Sequence, residues 1–122
     1  MHPKTMYSEP SVPKWALTVL NQVFELERKL SSGEVHDPSN FLRHVTRIKD
    51  ELEELGIFYE DPLGQPFTDT RTDLEATIAG NATEMLKVVE VIKPIIRAGT
   101  RDLSTVTQKG IVIVESQPET GE

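Results

Sequence analysis

Apolar residues in the first half of the chain fall at Ala16, Val19, Val23, Leu26 and Leu30, in steps of three and four. Trp15, Leu20 and Phe24 widen this seam. The spacing predicts an amphipathic helix with a coiled-coil-like stripe. Ser11 is placed to cap it, and Pro13 suits a first-turn position where a missing N–H costs nothing. Ser31-Ser32-Gly33 ends it, because glycine takes the left-handed conformation past a helix end without a Cβ penalty. A second seam follows at Phe41, Val45, Ile48, Leu52 and Leu55, with Ser39 or Asp37 as the cap and Gly56 as the stop.

The link between the two helices is short, which predicts an antiparallel αα-hairpin over residues 13–56. A hairpin with a seam on each arm buries both poorly by itself. Pairing two copies into a four-helix bundle solves this, each buried Leu or Ile contributing about 1.5–3 kcal/mol. The expected homodimer interface is Val19, Val23, Leu26, Leu30, Phe41, Val45, Ile48 and Leu52.

From Gly56 to Phe67 the pattern changes. Beyond this joint the apolar residues are β-branched and broken up by Gly and Pro. Leu74–Ile78 reads as a short strand and Gly110–Glu115 as the clearest strand of the chain. Between them, Met85 to Arg97 is ambiguous in period, since Met85, Val88, Val89, Ile92 and Ile96 fit one helix face. The β-branched cluster and Pro94 favour strand. The expected fold class is α+β: a helical hairpin, then a small, mostly antiparallel β-domain over 57–115. Residues 1–12 read as irregular and 116–122 as a disordered acidic tail.

Composition narrows the partner class. The chain has 122 residues, is 37% hydrophobic and 6% aromatic, and carries a formal net charge of −7. That charge argues against nucleic acid, whose phosphates need a basic footprint, and against anionic membrane surfaces. No apolar run is long enough to span a bilayer. Without cysteine there are no disulfides or thiolate metal sites, which permits a cytoplasmic setting. The first six residues lack an apolar core of the kind a secretory signal has.

The order of the pieces carries a resemblance. Val19-Leu20-Asn21-Gln22-Val23-Phe24-Glu25-Leu26-Glu27-Arg28-Lys29-Leu30 resembles the "VLDNFERAL" helix of the GrpE family, the nucleotide exchange factors of DnaK-type chaperones. Leu52-Glu53-Glu54-Leu55-Gly56-Ile57 is similar to the family's "LEKxGV", and Asp61-Pro62-Leu63-Gly64-Gln65-Pro66-Phe67 to its "EPLGEPFDP". Val88-Val89-Glu90-Val91-Ile92-Lys93-Pro94 resembles "VVEVLQPGY", and Ile111-Val112-Ile113-Val114 its closing strand. The likeness covers roughly residues 15–115.

The resemblance implies a homodimeric co-chaperone in which a β-wing enters the cleft of the chaperone's nucleotide-binding domain, and ADP leaves. No bond is made or broken, so the activity is exchange by differential binding of an open state, without enzyme chemistry or a cofactor. The positions it assigns to partner binding are Gly64, Pro66, Phe67, Arg97 and Lys109. Independently of the resemblance, Ile95 and Ile96 would point to opposite faces if extended, so one of them is an apolar contact edge unless the helices or the dimer mate cover it. Gly64 and Pro66 would shape the turn and Phe67 would anchor it to the bundle. Arg97 and Lys109 would meet acidic chaperone surface.

The chain departs from the family pattern at Asp69-Thr70-Arg71-Thr72-Asp73-Leu74, where the family has a His-Glu pair, and at Ile95-Ile96, where it has Gly-Tyr. The family's long N-terminal helix is not represented. These departures motivate an alternative: a dimeric scaffold or adaptor that kept the architecture and binds another protein.

Candidate chemistry adds little. Asp69, Asp73 and Glu75 read as a solvated acidic turn, because neither EF-hand nor His-containing spacing accompanies them. His36 and His44 straddle a helix start, which is poor ligand spacing. No nucleophile motif such as G-x-S-x-G occurs, and Gly64 alone makes no phosphate loop. Trp15 reads as bundle packing, with a partner anchor as the alternative. The run Asp50, Glu51, Glu53 and Glu54 reads as a solvated face.

Overall fold

A computed structural model describes residues 12–33 and 36–116. The N-terminal residues to Ser11, including the expected cap, and the acidic tail from Gln117 lie outside the described residues. Among the described residues two helices, α1 (Lys14–Ser31) and α2 (Ser39–Glu54), are followed by seven strands. These are β1 (Ile57–Glu60), β2 (Pro66–Phe67), β3 (Leu74–Ile78), β4 (Leu86–Lys93), β5 (Ile95–Gly99), β6 (Ser104–Gln108) and β7 (Gly110–Ser116). The class is α+β, as the change of pattern at Gly56 predicts.

The chain divides into two compact units. One comprises the described residues up to Tyr59 together with Arg97–Thr107, and the other comprises Glu60–Ile96 with the described residues from Gln108. The boundary therefore differs from a simple break at residue 57. Gly99 donates its backbone N–H to the carbonyl of Gly56, which links the end of β5 to the end of α2 within the first unit.

In the first unit α1 and α2 pack together. Helix α1 begins behind Pro13, whose carbonyl accepts from Ala16 and Leu17, and ends at Gly33 with φ +89°. The caps expected for α2 are corrected. Pro38 holds the N-cap position without a side-chain bond, and Ser39 donates its hydroxyl to Asp37. Asp37 thus accepts from the Ser39 hydroxyl, and neither side chain caps the helix. The core of this unit is Ala16, Leu20, Val23, Phe24, Leu30, Val45, Leu52, Ile57, Phe58, Tyr59 and Ala98.

In the second unit a four-stranded sheet runs in the order β2-β4-β7-β3. The pairs β2–β4 and β4–β7 are antiparallel, whereas β3 runs parallel to β7. The 85–97 segment resolves as two strands, because Pro94 has no N–H to continue a ladder. Strand β4 is longer than the stretch of β7 it faces. Its register shifts between Val88 and Glu90 and again between Val91 and Lys93, leaving Val89 and Ile92 as extra residues. Val88, Val91, Val112, Val114, Leu74, Leu86, Pro62, Pro94, Ile95 and Ile96 are buried. A second sheet has the order β1-β5-β6.

Candidate functional site

Surface that the helices leave uncovered is the first place to look for function. The two seams divide into an inward and an outward half. Val23 and Leu30 of α1, and Val45 and Leu52 of α2, are buried within the chain. Val19, Leu26, Phe41 and Ile48 are exposed. The eight positions expected at a dimer interface thus split evenly: four are already buried within the chain.

The outward residues form regular stripes. On α1 they are Trp15, Val19 and Leu26, and on α2 Phe41 and Ile48, continued by Leu55 at its C-cap, each spaced by about one turn or two. Trp15 is 59% exposed and Phe41 56%. Trp15 therefore does not pack in the chain's own core. Scattered exposed apolar residues are ordinary, but two stripes along a hairpin are what protein contact surfaces are made of.

The joint is an ordered turn. Gln65 donates its backbone N–H to the Pro62 carbonyl, and Gly64 sits at the third position with φ +84°. That angle requires glycine, as in a type II turn. Asp61 accepts from the Leu63 amide at 3.1 Å, closing an Asx-type bond. Gly64 donates to the Val88 carbonyl and Val88 donates to the Gln65 carbonyl, both at 2.9 Å. The turn is thus stitched to β4. Phe67 lies opposite Leu86 and Pro66 opposite Lys87 in the sheet register. Phe67 thus holds a half-buried ladder position beside β4.

Arg71 closes the same region. Its guanidinium grips both oxygens of Asp73 at 2.9 and 3.0 Å, and also reaches Gln65 Oε1 and the Pro66 carbonyl at 3.3 Å. Hydrogen bonding to Asp73 holds the Arg71 pKa above its ordinary value, against the opposing pull of burial. Asp73 is therefore committed to an ion pair, and Asp69 stands apart from it on an exposed loop. Among the described residues no group of three His, Cys, Asp or Glu is placed to hold a metal ion.

Of the remaining expected contact residues, Ile95 and Ile96 are both buried, which corrects their role as an exposed edge. Ile95 lies against Gly110, where an added Cβ would come within 3.0 Å of its Cγ1. Consecutive strand residues point to opposite faces, so both sides of β5 are covered at its start. The exposed isoleucine of that neighbourhood is Ile92, one of the extra residues of β4. Lys109 is exposed and Arg97 half-buried.

Pattern reasoning missed two side-chain clusters in the first unit. The Glu27 carboxylate accepts from the Tyr59 hydroxyl and from Lys49 Nζ at 3.2 and 3.3 Å. Lys49 also lies 4.8 Å from the centre of the Tyr59 ring, which stands perpendicular to the Phe24 ring with 5.7 Å between their centres. In the other cluster Arg101 binds both oxygens of Glu53 at 2.7 and 3.0 Å and stacks on Phe58, 4.2 Å from the ring centre. That hydrogen bond holds the Glu53 carboxyl below its ordinary range. No periodicity pairs residues so far apart in sequence, so neither cluster had a local signal.

Compared with family models, with curated proteins and with solved structures, the chain has no match. Among the described residues no helix is long and apolar enough to cross a membrane.

Proposed function

We propose that this chain is a GrpE-like co-chaperone: two copies pair through their helical hairpins, and the β-region engages the nucleotide-binding domain of a DnaK-type chaperone and promotes ADP release. The observation that carries this reading is the outward apolar stripe on both arms of the hairpin, Trp15-Val19-Leu26 and Phe41-Ile48-Leu55. Such a hairpin is half of a bundle, and joining two copies removes these side chains from water. The order of hairpin, glycine-proline turn and strand ending at Pro94 supports the same reading. Gly64 and Pro66 set the turn, and Lys109 and Arg97 supply the cations for an acidic partner surface.

A second reading, an adaptor that pairs in the same way and binds another protein, is favoured by the burial of Ile95 and Ile96. An exchange factor working through that edge would present it.

Two measurements test the proposal. Sedimentation equilibrium should give the mass of two chains. Stopped-flow release of fluorescent ADP from a DnaK-type chaperone should accelerate when the protein is added, and lose that acceleration with Arg97→Glu and Lys109→Glu together. A two-chain mass without acceleration selects the adaptor. A one-chain mass overturns the pairing on which both rest.

A further inference from the structure

The four-stranded sheet has two outer strands, β2 and β3, and they finish it differently. β2 is two residues long and contains Pro66, which blunts that edge. β3 runs five residues, Leu74–Ile78, and pairs with β7 in unbroken register. It contains no Pro, Lys or bulge, the devices that keep a sheet edge from joining another.

Alternate residues of a parallel strand bond its neighbour. Gly110 donates to the Asp73 carbonyl and Ala79 donates to the Val114 carbonyl, so the odd-numbered residues of β3 face β7. Leu74, Ala76 and Ile78 therefore turn their N–H and C=O groups to the open side, where they have no partner among the described residues. The side chains of these three share the face of Val112 and Val114, while Glu75 and Thr77 share the other face, both exposed. Ile78 is 40% exposed although Val114, opposite it in the register, is fully buried.

This edge is complementary to itself. Laid antiparallel against β3 of a second copy with Ala76 opposite Ala76, it sets Leu74 opposite Ile78 and Glu75 opposite Thr77. Every outward N–H and C=O of Leu74, Ala76 and Ile78 then meets its counterpart. The exposed Ile78 gains Leu74 of the second copy as a same-face neighbour, and each Glu75 meets a threonine hydroxyl. Centring on Glu75 instead would set carboxylate against carboxylate and leave Ile78 uncovered, so charge and apolar contact select the same register.

We infer that β3 is a self-association edge: it pairs antiparallel with β3 of a second copy across a two-fold axis at Ala76, joining the two sheets into one. The contact uses none of the hairpin residues and goes beyond the pairing proposed above. A strand contact this short buries less than the ~1,200 Å² of a standard interface, so it forms at higher protein concentration than the hairpin pair.

The chain has no cysteine, so Ala76→Cys supplies a single thiol. Opposite residues of a bonded antiparallel pair stand about 5.5 Å apart at Cα, a separation that a disulfide spans. Under mild oxidation Ala76→Cys should link two chains about tenfold faster or more than Glu84→Cys, an exposed control between β3 and β4. It should still do so in a chain that also carries Phe41→Lys, which separates this contact from the hairpin pair. Sedimentation up to about 1 mM should show the mass climbing beyond its low-concentration value. Thr77→Glu should raise the concentration needed about fivefold or more, whereas Thr77→Lys, facing Glu75, should lower it. Thr77 is exposed, so both variants should keep the wild-type circular dichroism. Linking no faster in Ala76→Cys than in Glu84→Cys, a mass that stays flat, or the same shift with Thr77→Glu as with Thr77→Lys would each overturn the proposal. A mass that starts from one chain, with fast Ala76→Cys linking, would overturn the hairpin pairing and support this one.

Discussion

Gly56 accepts a 2.8 Å hydrogen bond from the backbone of Gly99, and both glycines have positive φ, +86° and +130°. One glycine ends α2 and the other ends β5, so the close approach of two left-handed backbones fastens the turn to the helix end. A side chain at Gly99 would strike the Leu103 carbonyl at 2.4 Å and Ser104 Cα at 2.9 Å, both backbone atoms. Gly99→Ala should therefore destabilise more than any other glycine substitution here, by about 3 kcal/mol or more once overpacking and backbone strain add. Gly64→Ala, which meets nothing, should cost only about 1 kcal/mol through its φ. Urea unfolding followed by circular dichroism gives the ranking.

Gly110 makes a different test, since its space is taken by side chains. An added methyl would come within 2.8 Å of Leu74 Cδ2 and 3.0 Å of Ile95 Cγ1, both buried. Gly110→Ala should cost about 1–3 kcal/mol. Shortening Leu74 to Ala in the same chain should return part of that loss, which a double-mutant cycle in urea would show as non-additivity.

Tyr59 carries the buried end of a polar cluster. Tyr59→Phe keeps the ring against Phe24 and removes the hydroxyl that Glu27 accepts. A hydrogen bond to a charged group contributes about 1.5–3 kcal/mol, and partial solvent access to Glu27 lowers the expected loss to about 1–2 kcal/mol. Thermal melts of the two proteins would measure it.

The Glu53–Arg101 contact gives a pH dependence. The folded-state pKa of Glu53 is depressed by its hydrogen bond to Arg101, so its contribution is present above the ordinary glutamate pKa of about 4.3 and fades as pH falls through the lower folded value. Glu53→Gln should therefore lower the melting temperature at pH 7, and the gap from wild type should close as pH approaches 3. A gap that stays constant would show that the carboxylate's charge is not what holds the turn.

Under the proposed pairing, the two faces of the hairpin separate folding from assembly. Phe41→Lys alters an exposed side chain and should leave the monomer folded while shifting the sedimentation mass toward one chain. Val45→Lys, on the neighbouring face and 2% exposed, should unfold the protein, because an unpaired charge there has no partner. Circular dichroism and sedimentation on both variants distinguish the two faces.

Much of this architecture was legible before any coordinates. Three- and four-residue steps located both helices, and Gly33 and Gly56 located their ends. Strands β3, β4 and β7 announced themselves through β-branched residues, and Pro94 through its missing donor. The period could not say which half of each seam faces inward, because Val19 and Val23 fit the same stripe and only packing separates them. Ile95 and Ile96 misled for a related reason: alternation predicts one face out only when that face is uncovered. Strand β6, Ser104-Thr105-Val106-Thr107-Gln108, has one strongly apolar residue and left no pattern to find. The Arg101–Glu53 contact joins residues 48 apart in sequence, so it too left no local pattern.

The place of β7 in the sheet also governs how the second unit is made. β7 is the last of the described strands in sequence, yet it lies between β4 and β3 and is the partner of both. As the chain leaves the ribosome, β3 and β4 emerge without the strand that joins them, and their ladder edges stay open until residues 110–116 appear. Parallel closure of β3 on β7 spans a long loop, whose entropy must be lost before the pairing gains anything. Folding of this sheet therefore waits for β7, with a window in which the β7-facing edge of β4, rich in valine and isoleucine, is exposed to aggregation.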